Sequence, residues 1–239
     1  MTIQATHPDT ATRPPLADWL AEKSARLSGR LALGLHTTLT RYGLNRDLAV
    51  PLVNPTAKIP IEVRRLEPRD VAALFSAGDA AAGAPPSAQE KAEVAVRRNF
   101  LAQGAHNGFV AIDQRNGAPC YVQWLFGARD NAFVARLKGF PVLAPHQALL
   151  ENAYTPPAYR GFGIMSAAMA LIAERAADIG ALHVLTFVGL DNIASLKGCQ
   201  RAGFNPLLLH RSTRIGFGTI RRDRFAELPE GDPRRTARF

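Results

Sequence analysis

The sequence predicts an α/β fold built around one main core, and three observations carry that reading. A chain of 239 residues with 47 % hydrophobic and 21 % charged residues is long and apolar enough for a packed domain plus an extension. Short β-rich runs alternate with amphipathic ones in the order β, α, α, β, β, β, α, β, α, β from Ile61 onward. Asn116-Gly117 falls between two of the β-rich runs, a hairpin signal.

Each element has its local reason. Ile61, Val63 and Leu66 begin a strand that hands over through Glu67-Pro68-Arg69-Asp70 to a helix carrying Val71, Leu74 and Phe75. Ala77 to Pro86 reads as a loop, and Ser87 to Gln103 as a helix with Ser87 and Glu90 at capping-box spacing. Phe109–Ile112 and Cys120–Phe126 form the hairpin, and Gly127 to Pro145 follows as a loop. A strand is expected over Gln147–Thr155, a helix to about Ile179, a strand over Val184–Val188, a helix over Asn192–Ala202 and closing strands within Leu207–Ile220. Upstream, Leu16, Leu20, Leu27, Leu31, Leu35 and Leu39 recur as on an amphipathic helix, whose stripe needs the chain's own core, a second subunit or a lipid surface. The proline-rich stretch Leu48 to Pro60 cannot be helical and reads as an extended linker. The expected organisation is an N-terminal extension over 1–58, a domain over 59–225 and a basic tail over 226–239.

Composition narrows the classes of function. Cys120 and Cys199 stand far apart without metal-ligand spacing, which argues against a disulfide framework or a zinc site and for a cytoplasmic setting. The first residues lack a signal peptide's apolar run, and no stretch is long enough to span a bilayer. The net charge of +9 gathers at the ends, +3 over residues 1–58 and +4 over 211–239. No aromatic residues alternate with these arginines to stack bases, so nucleic acid is not the expected partner; peripheral membrane contact and a homodimer stay open.

Between the Gln147–Thr155 strand and the alanine-rich helix lies Arg160-Gly161-Phe162-Gly163-Ile164-Met165. A strand, glycine turn and helix start offers backbone N–H groups to a phosphate at the positive end of a helix dipole. No Gly-Lys-Ser/Thr follows, and the three spaced glycines of a dinucleotide fingerprint are missing, so neither a Walker loop nor a Rossmann turn is read here. Downstream, Asp191-Asn192-Ile193-Ala194-Ser195 opens a helix that Gly203 ends, an arrangement that capping alone also explains.

With Pro157 to Gly161 before it and Gly203-Phe204 after Asn192, the glycine turn resembles the coenzyme A site of the GCN5-related N-acetyltransferase (GNAT) superfamily. That family's pattern is Arg or Gln, two residues, Gly, one residue, then Gly or Ala; Arg160 and Gly163 match it, and Met165 stands at the last position. The resemblance covers residues 59–220 and implies a mixed, mostly antiparallel central sheet flanked by helices, to which the N-terminal helix is extra. It also implies an acyl-CoA-dependent acyltransferase, most simply one moving acetyl from acetyl-CoA to a small-molecule or peptide amine by direct attack in a ternary complex, without a metal. The cofactor-binding residues it implies are Ala153, Tyr154 and Thr155 on the strand, Arg160, Gly161, Phe162, Gly163, Ile164 and Met165 on the turn, and Asn192 and Ser195 on the next helix. The catalytic candidates are Glu151 as general base, Cys199 where the family carries the tyrosine acid, and Tyr154 as a substitute acid, although alternation along the strand sends Tyr154 to the face opposite Glu151. Glu151 also reads as a surface or ion-paired glutamate, and Met165 and Cys199 as core residues. Two further functions stay open: an acyl-CoA-binding module without turnover, and a membrane or partner adaptor that uses the N-terminal helix and basic ends.

Overall fold

The computed structural model describes residues 35–75, 87–217 and 219–239. The chain divides into two compact units. Thr40–Arg211 with Asp223–Phe239 form the larger, which holds the site; Ser212–Arg222 and the described residues up to Leu39 belong to the smaller.

The strands are β1 (His36–Asp47), β2 (Ile61–Arg65), β3 (Gly108–Asp113), β4 (Ala118–Gly127), β5 (Gln147–Tyr154), β6 (His183–Gly189), β7 (Asn205–Ile215) and β8 (Ile220–Glu227). The helices are α1 (Pro68–Phe75), α2 (Ala88–Ala102), α3 (Asn131–Leu137), α4 (Ile164–Glu174) and α5 (Ile193–Arg201). The sheet runs β2-β3-β4-β5-β6-β1-β7-β8. From β2 to β5 the pairs are antiparallel, β5 and β6 are parallel, and β6 pairs antiparallel with β1. The fold is therefore the mixed, mostly antiparallel sheet with flanking helices.

Two apolar layers sandwich this sheet. On one face α4 and α5 bury Ile164, Met169, Ile172 and Leu196 against Leu44, Leu150 and Phe204. On the other, Phe75, Phe100 and Phe133 from the three earlier helices close over Trp124 and Phe126, with Phe100 edge-on to Trp124 at 5.2 Å. Such aromatic pairs add about 0.5–1.5 kcal/mol beyond the area they bury. The start of α2 is set by a complete capping box: the Glu90 N–H donates to Ser87 Oγ at 3.2 Å and the Ser87 N–H to Glu90 Oε2 at 2.7 Å.

Four segments depart from expectation. The amphipathic helix falls largely on residues 16–34, outside those described. Its last position, Leu39, lies in β1, because His36-Thr-Thr-Leu-Thr-Arg-Tyr is rich in β-branched and aromatic residues that favour a pleated strand. The proline-rich stretch is non-helical as expected, yet it is not a free linker. Leu52 and Ala57 pack on the core, Ile59 is buried, and the Lys58 N–H donates to the Phe162 carbonyl at 2.8 Å. The loop after β4 contains α3, whose Phe133 and Val134 are buried and whose Asn131 side chain both donates to and accepts from the Leu143 backbone. The basic tail is docked: Leu228 is buried, Phe239 packs against Tyr42 at 5.5 Å, and Gln200 holds the backbone of Ala237 and Phe239. No helix among the described residues is long and apolar enough to cross a membrane.

Candidate active site

The parallel pairing of β5 with β6 covers only Gln147 to Leu149 opposite His183 to Leu185. Beyond it no further pair joins the two strands, and a cavity of about 1050 Å³ lies along the free stretch of β5. On its wall the structure brings together Ala153–Thr155, Arg160–Met165, Asn192 and Ser195. Every cofactor-binding residue expected from the sequence therefore faces the same space.

The glycine turn owes its shape to backbone that only glycine adopts cheaply. Gly161 and Gly163 have φ of 83° and 74°, the left-handed region that strains other residues. A Cβ on Gly161 would meet nothing within 4 Å, so that side of the turn is open to a ligand. Gly163 caps α4 with no side-chain hydrogen bond, and the N–H groups of Ile164 to Ser166 are those a helix leaves without internal partners. Lys58, Arg97, Arg160, Lys197 and Arg201 line the cavity against a single carboxylate, Glu93. An elongated anion suits this wall.

Met165 is accommodated by a neighbour. It is partly buried against the core, and a Cβ on Gly198 of α5 would stand 3.1 Å from its sulfur. The space that Gly198 leaves takes up the long side chain, which leans on α5. Asn192 caps α5, its Oδ1 accepting the Ser195 N–H at 3.2 Å.

At the other end of the cavity, β5 carries a bulge. Trp124 faces Glu151 and Val122 faces Tyr154, so Asn152 and Ala153 share the one position opposite Gln123; Asn152 takes φ of 60° to make the turn. The extra residue resets the alternation. Glu151 and Tyr154, expected on opposite faces, point to the same one, that of Trp124 and Val122. Burial pushes the Glu151 carboxyl up to about 7, against the opposing charges of Arg41 and Arg97. Glu151 is half-buried and stands two residues behind Ala153 without forming part of the cavity wall. Tyr154 is buried on that wall, packs on Phe75 at 5.9 Å, and has its hydroxyl pKa raised by burial.

Cys199 corrects the reading as an acid. It is 1 % exposed, its thiol lies 3.8 Å from the Met169 sulfur, and it is absent from the cavity wall. Burial pushes it up to about 12, as expected of a small core residue.

Four residues that sequence reasoning missed shape the site. Tyr121 of β4 is fully buried on the cavity wall, and its hydroxyl donates to Gln123 Oε1 at 2.7 Å. Glu93 of α2 pairs with Arg160 at 2.6 Å, while Arg160 Nε donates to the Thr155 carbonyl at 3.2 Å. From the same helix, Arg97 donates to the Ala153 carbonyl at the bulge at 2.9 Å, and Lys58 comes from the proline-rich stretch. The only available signal was helical spacing: Glu93 and Arg97 are four apart, on one face of α2.

The mixed, mostly antiparallel sheet and the glycine turn heading α4 agree with the GNAT fold that the sequence resemblance implies. Residues 90–204, just under half of the chain, match the model of the acetyltransferase (GNAT) family. Similar solved structures include a GCN5-related N-acetyltransferase from Sphaerobacter thermophilus (17 % identity, TM-score 0.45, 80 % of this chain and 56 % of that one). A GNAT-family acetyltransferase from Colwellia psychrerythraea is similar at 13 % identity and TM-score 0.45 over 90 % of this chain and 75 % of that one. A Drosophila protein is similar at 12 % identity and TM-score 0.46 over 84 % of this chain and 59 % of that one. The match thus spans less than two thirds of the first and third of these relatives. No curated protein matches the chain.

Proposed function

We propose that the chain is an acyl-CoA-dependent N-acyltransferase, most simply one that moves acetyl from acetyl-CoA to an amine by direct attack in a ternary complex. The observation that carries this reading is the single cavity running from the uncapped start of α4 to the bulge of β5. Its residues fit coenzyme A: open space over Gly161, free helix N–H groups and the wall cations Lys58, Arg160, Lys197 and Arg201 suit the phosphates, and the backbone of Ala153 to Thr155 suits the pantetheine arm. When bound, the thioester supplies an activated acyl carbon and a thiolate leaving group. Glu151, held near neutrality, takes the amine proton, through water because it stands behind the wall. Backbone N–H groups at the bulge polarise the carbonyl. Tyr154, a protonated hydroxyl on the wall, returns a proton to the departing sulfur, the role that buried Cys199 cannot fill. Atoms balance: the C–N bond forms as the C–S bond breaks, and one proton passes from amine to base and one from tyrosine to thiolate.

Isothermal titration with acetyl-CoA and coenzyme A, followed by thiol release across an amine panel, tests the reading. Binding of both with turnover of at least one amine is expected. Absence of binding at millimolar ligand overturns it, and binding without thiol release replaces it with the binding-module reading.

A further inference from the structure

Arg97 lies beside the bulge without a salt bridge; the carboxylates of Glu93 and Glu151 act on its charge only from a distance. Two of the five guanidinium N–H groups are used, Nη1 on the Glu93 carbonyl and Nη2 on the Ala153 carbonyl, each at 2.9 Å. Both partners are neutral backbone oxygens. Among the described residues Arg97 forms no ion pair, and its Nε is buried without a partner. The nearby carboxylate of Glu93 is occupied by Arg160 and by the Gln89 amide. Loss of hydration holds the Arg97 guanidinium below its usual range. Beneath it lies the Tyr154 ring, 5.1 Å from Arg97 Cζ, which fixes its plane.

A cation partly withdrawn from water is normally matched by an anion, because burial alone disfavours it. Arg97 is on the cavity wall, so the missing anion has a route to it. The anion at this end differs from the phosphates of the cofactor: the glycine turn that suits those lies after β5, whereas Arg97 is tied to Ala153 within the strand. Resting on the acyl-CoA reading, this places Arg97 where the acyl group meets its acceptor.

We infer that Arg97 is a specificity-determining anchor for a carboxylate, carried either by the acyl group of the donor or by the amine acceptor. A planar fork with N–H groups to spare fits a carboxylate better than a point charge does.

The experiment has two arms on the full chain. Titrations compare acetyl-CoA with succinyl-CoA, and amino acids with the corresponding amino-acid amides, the latter pair both with and without coenzyme A present. Thiol release is followed in parallel. The carboxylate-bearing member of one arm should be preferred about 10-fold or more, the scale of a charge-assisted hydrogen bond. Arg97→Gln should abolish that preference while leaving the coenzyme A Kd within about twofold. Arg97→Lys, which keeps the charge without the fork, should retain part of it, and carries the test if Arg97→Gln does not fold. No preference in either arm, or one that survives Arg97→Gln, overturns the inference. An equal loss of affinity for coenzyme A itself does so too, because Arg97 would then be a phosphate ligand. If coenzyme A fails to bind the parent protein, the acyltransferase reading falls; the amino-acid pair without it still decides the carboxylate site.

Discussion

The two ends of the cavity are built by different means. At the glycine turn nearly everything is backbone supplied by one short segment: two positive φ values, the open start of α4 and a neighbouring carbonyl contact from Lys58. At the bulge, side chains arrive from α2, β4 and β5, and their placement depends on strand register. The first end tolerates changes of side chain and fails when its backbone is altered. The second depends on single functional groups, and its chemistry shifts with each.

Replacing Gly161 by Asp tests the first end most severely, since it strains the turn and adds a carboxylate where an anion is proposed to sit. The coenzyme A Kd should rise by about 100-fold or more, read by calorimetry; an unchanged Kd would remove the turn from the site. At the second end, Glu151→Gln should lower kcat/KM by about 100-fold without moving the coenzyme A Kd. In the parent enzyme kcat/KM should climb through pH 7 as the carboxyl loses its proton. Stability gives the same group a second readout. Its folded pKa of about 7 lies above the ordinary 4.5, so the folded state holds the proton more tightly. The contribution of this group to stability is full below pH 4.5 and is lost as pH rises through 7. Urea unfolding at pH 5 and pH 8 should therefore show a loss in the parent that Glu151→Gln abolishes. The smallest effect belongs to Cys199→Ala: a cost of about 1 kcal/mol in stability from the lost sulfur and kcat within about twofold of the parent. A collapse of kcat in a folded Cys199→Ala variant would restore the thiol to the mechanism.

The same contrast governs what the sequence disclosed. From Ile61 to Phe204 the elements follow in the expected order apart from the added α3, because hydrophobic period, caps and turns are local signals: Ser87 with Glu90, and Asn116-Gly117 between β3 and β4. The glycine turn was legible for the same reason. The bulge was not, since Asn152 looks like any polar strand residue and only its pairing with β4 inserts it. Consequently the alternation rule misplaced Tyr154 relative to Glu151. Arg97 was invisible because a polar residue on an exposed helix resembles a solvated one until the strand beneath it is known. In β1, leucine spacing outweighed the run of threonines; the pairing that decides in favour of a strand lies with β6, far along the chain.

That distant pairing sets an order of events in biosynthesis. Asp47 sits opposite His183 and Arg41 opposite Gly189, so β1 leaves the ribosome long before its partner exists. The antiparallel half from β2 to β5 completes itself from neighbouring segments, while β1 must wait as an unpaired strand until the chain beyond the glycine turn is made. Contacts of such long separation slow folding and expose edges to aggregation meanwhile. The far side of the sheet is thus assembled last from the part of this sequence that is translated early.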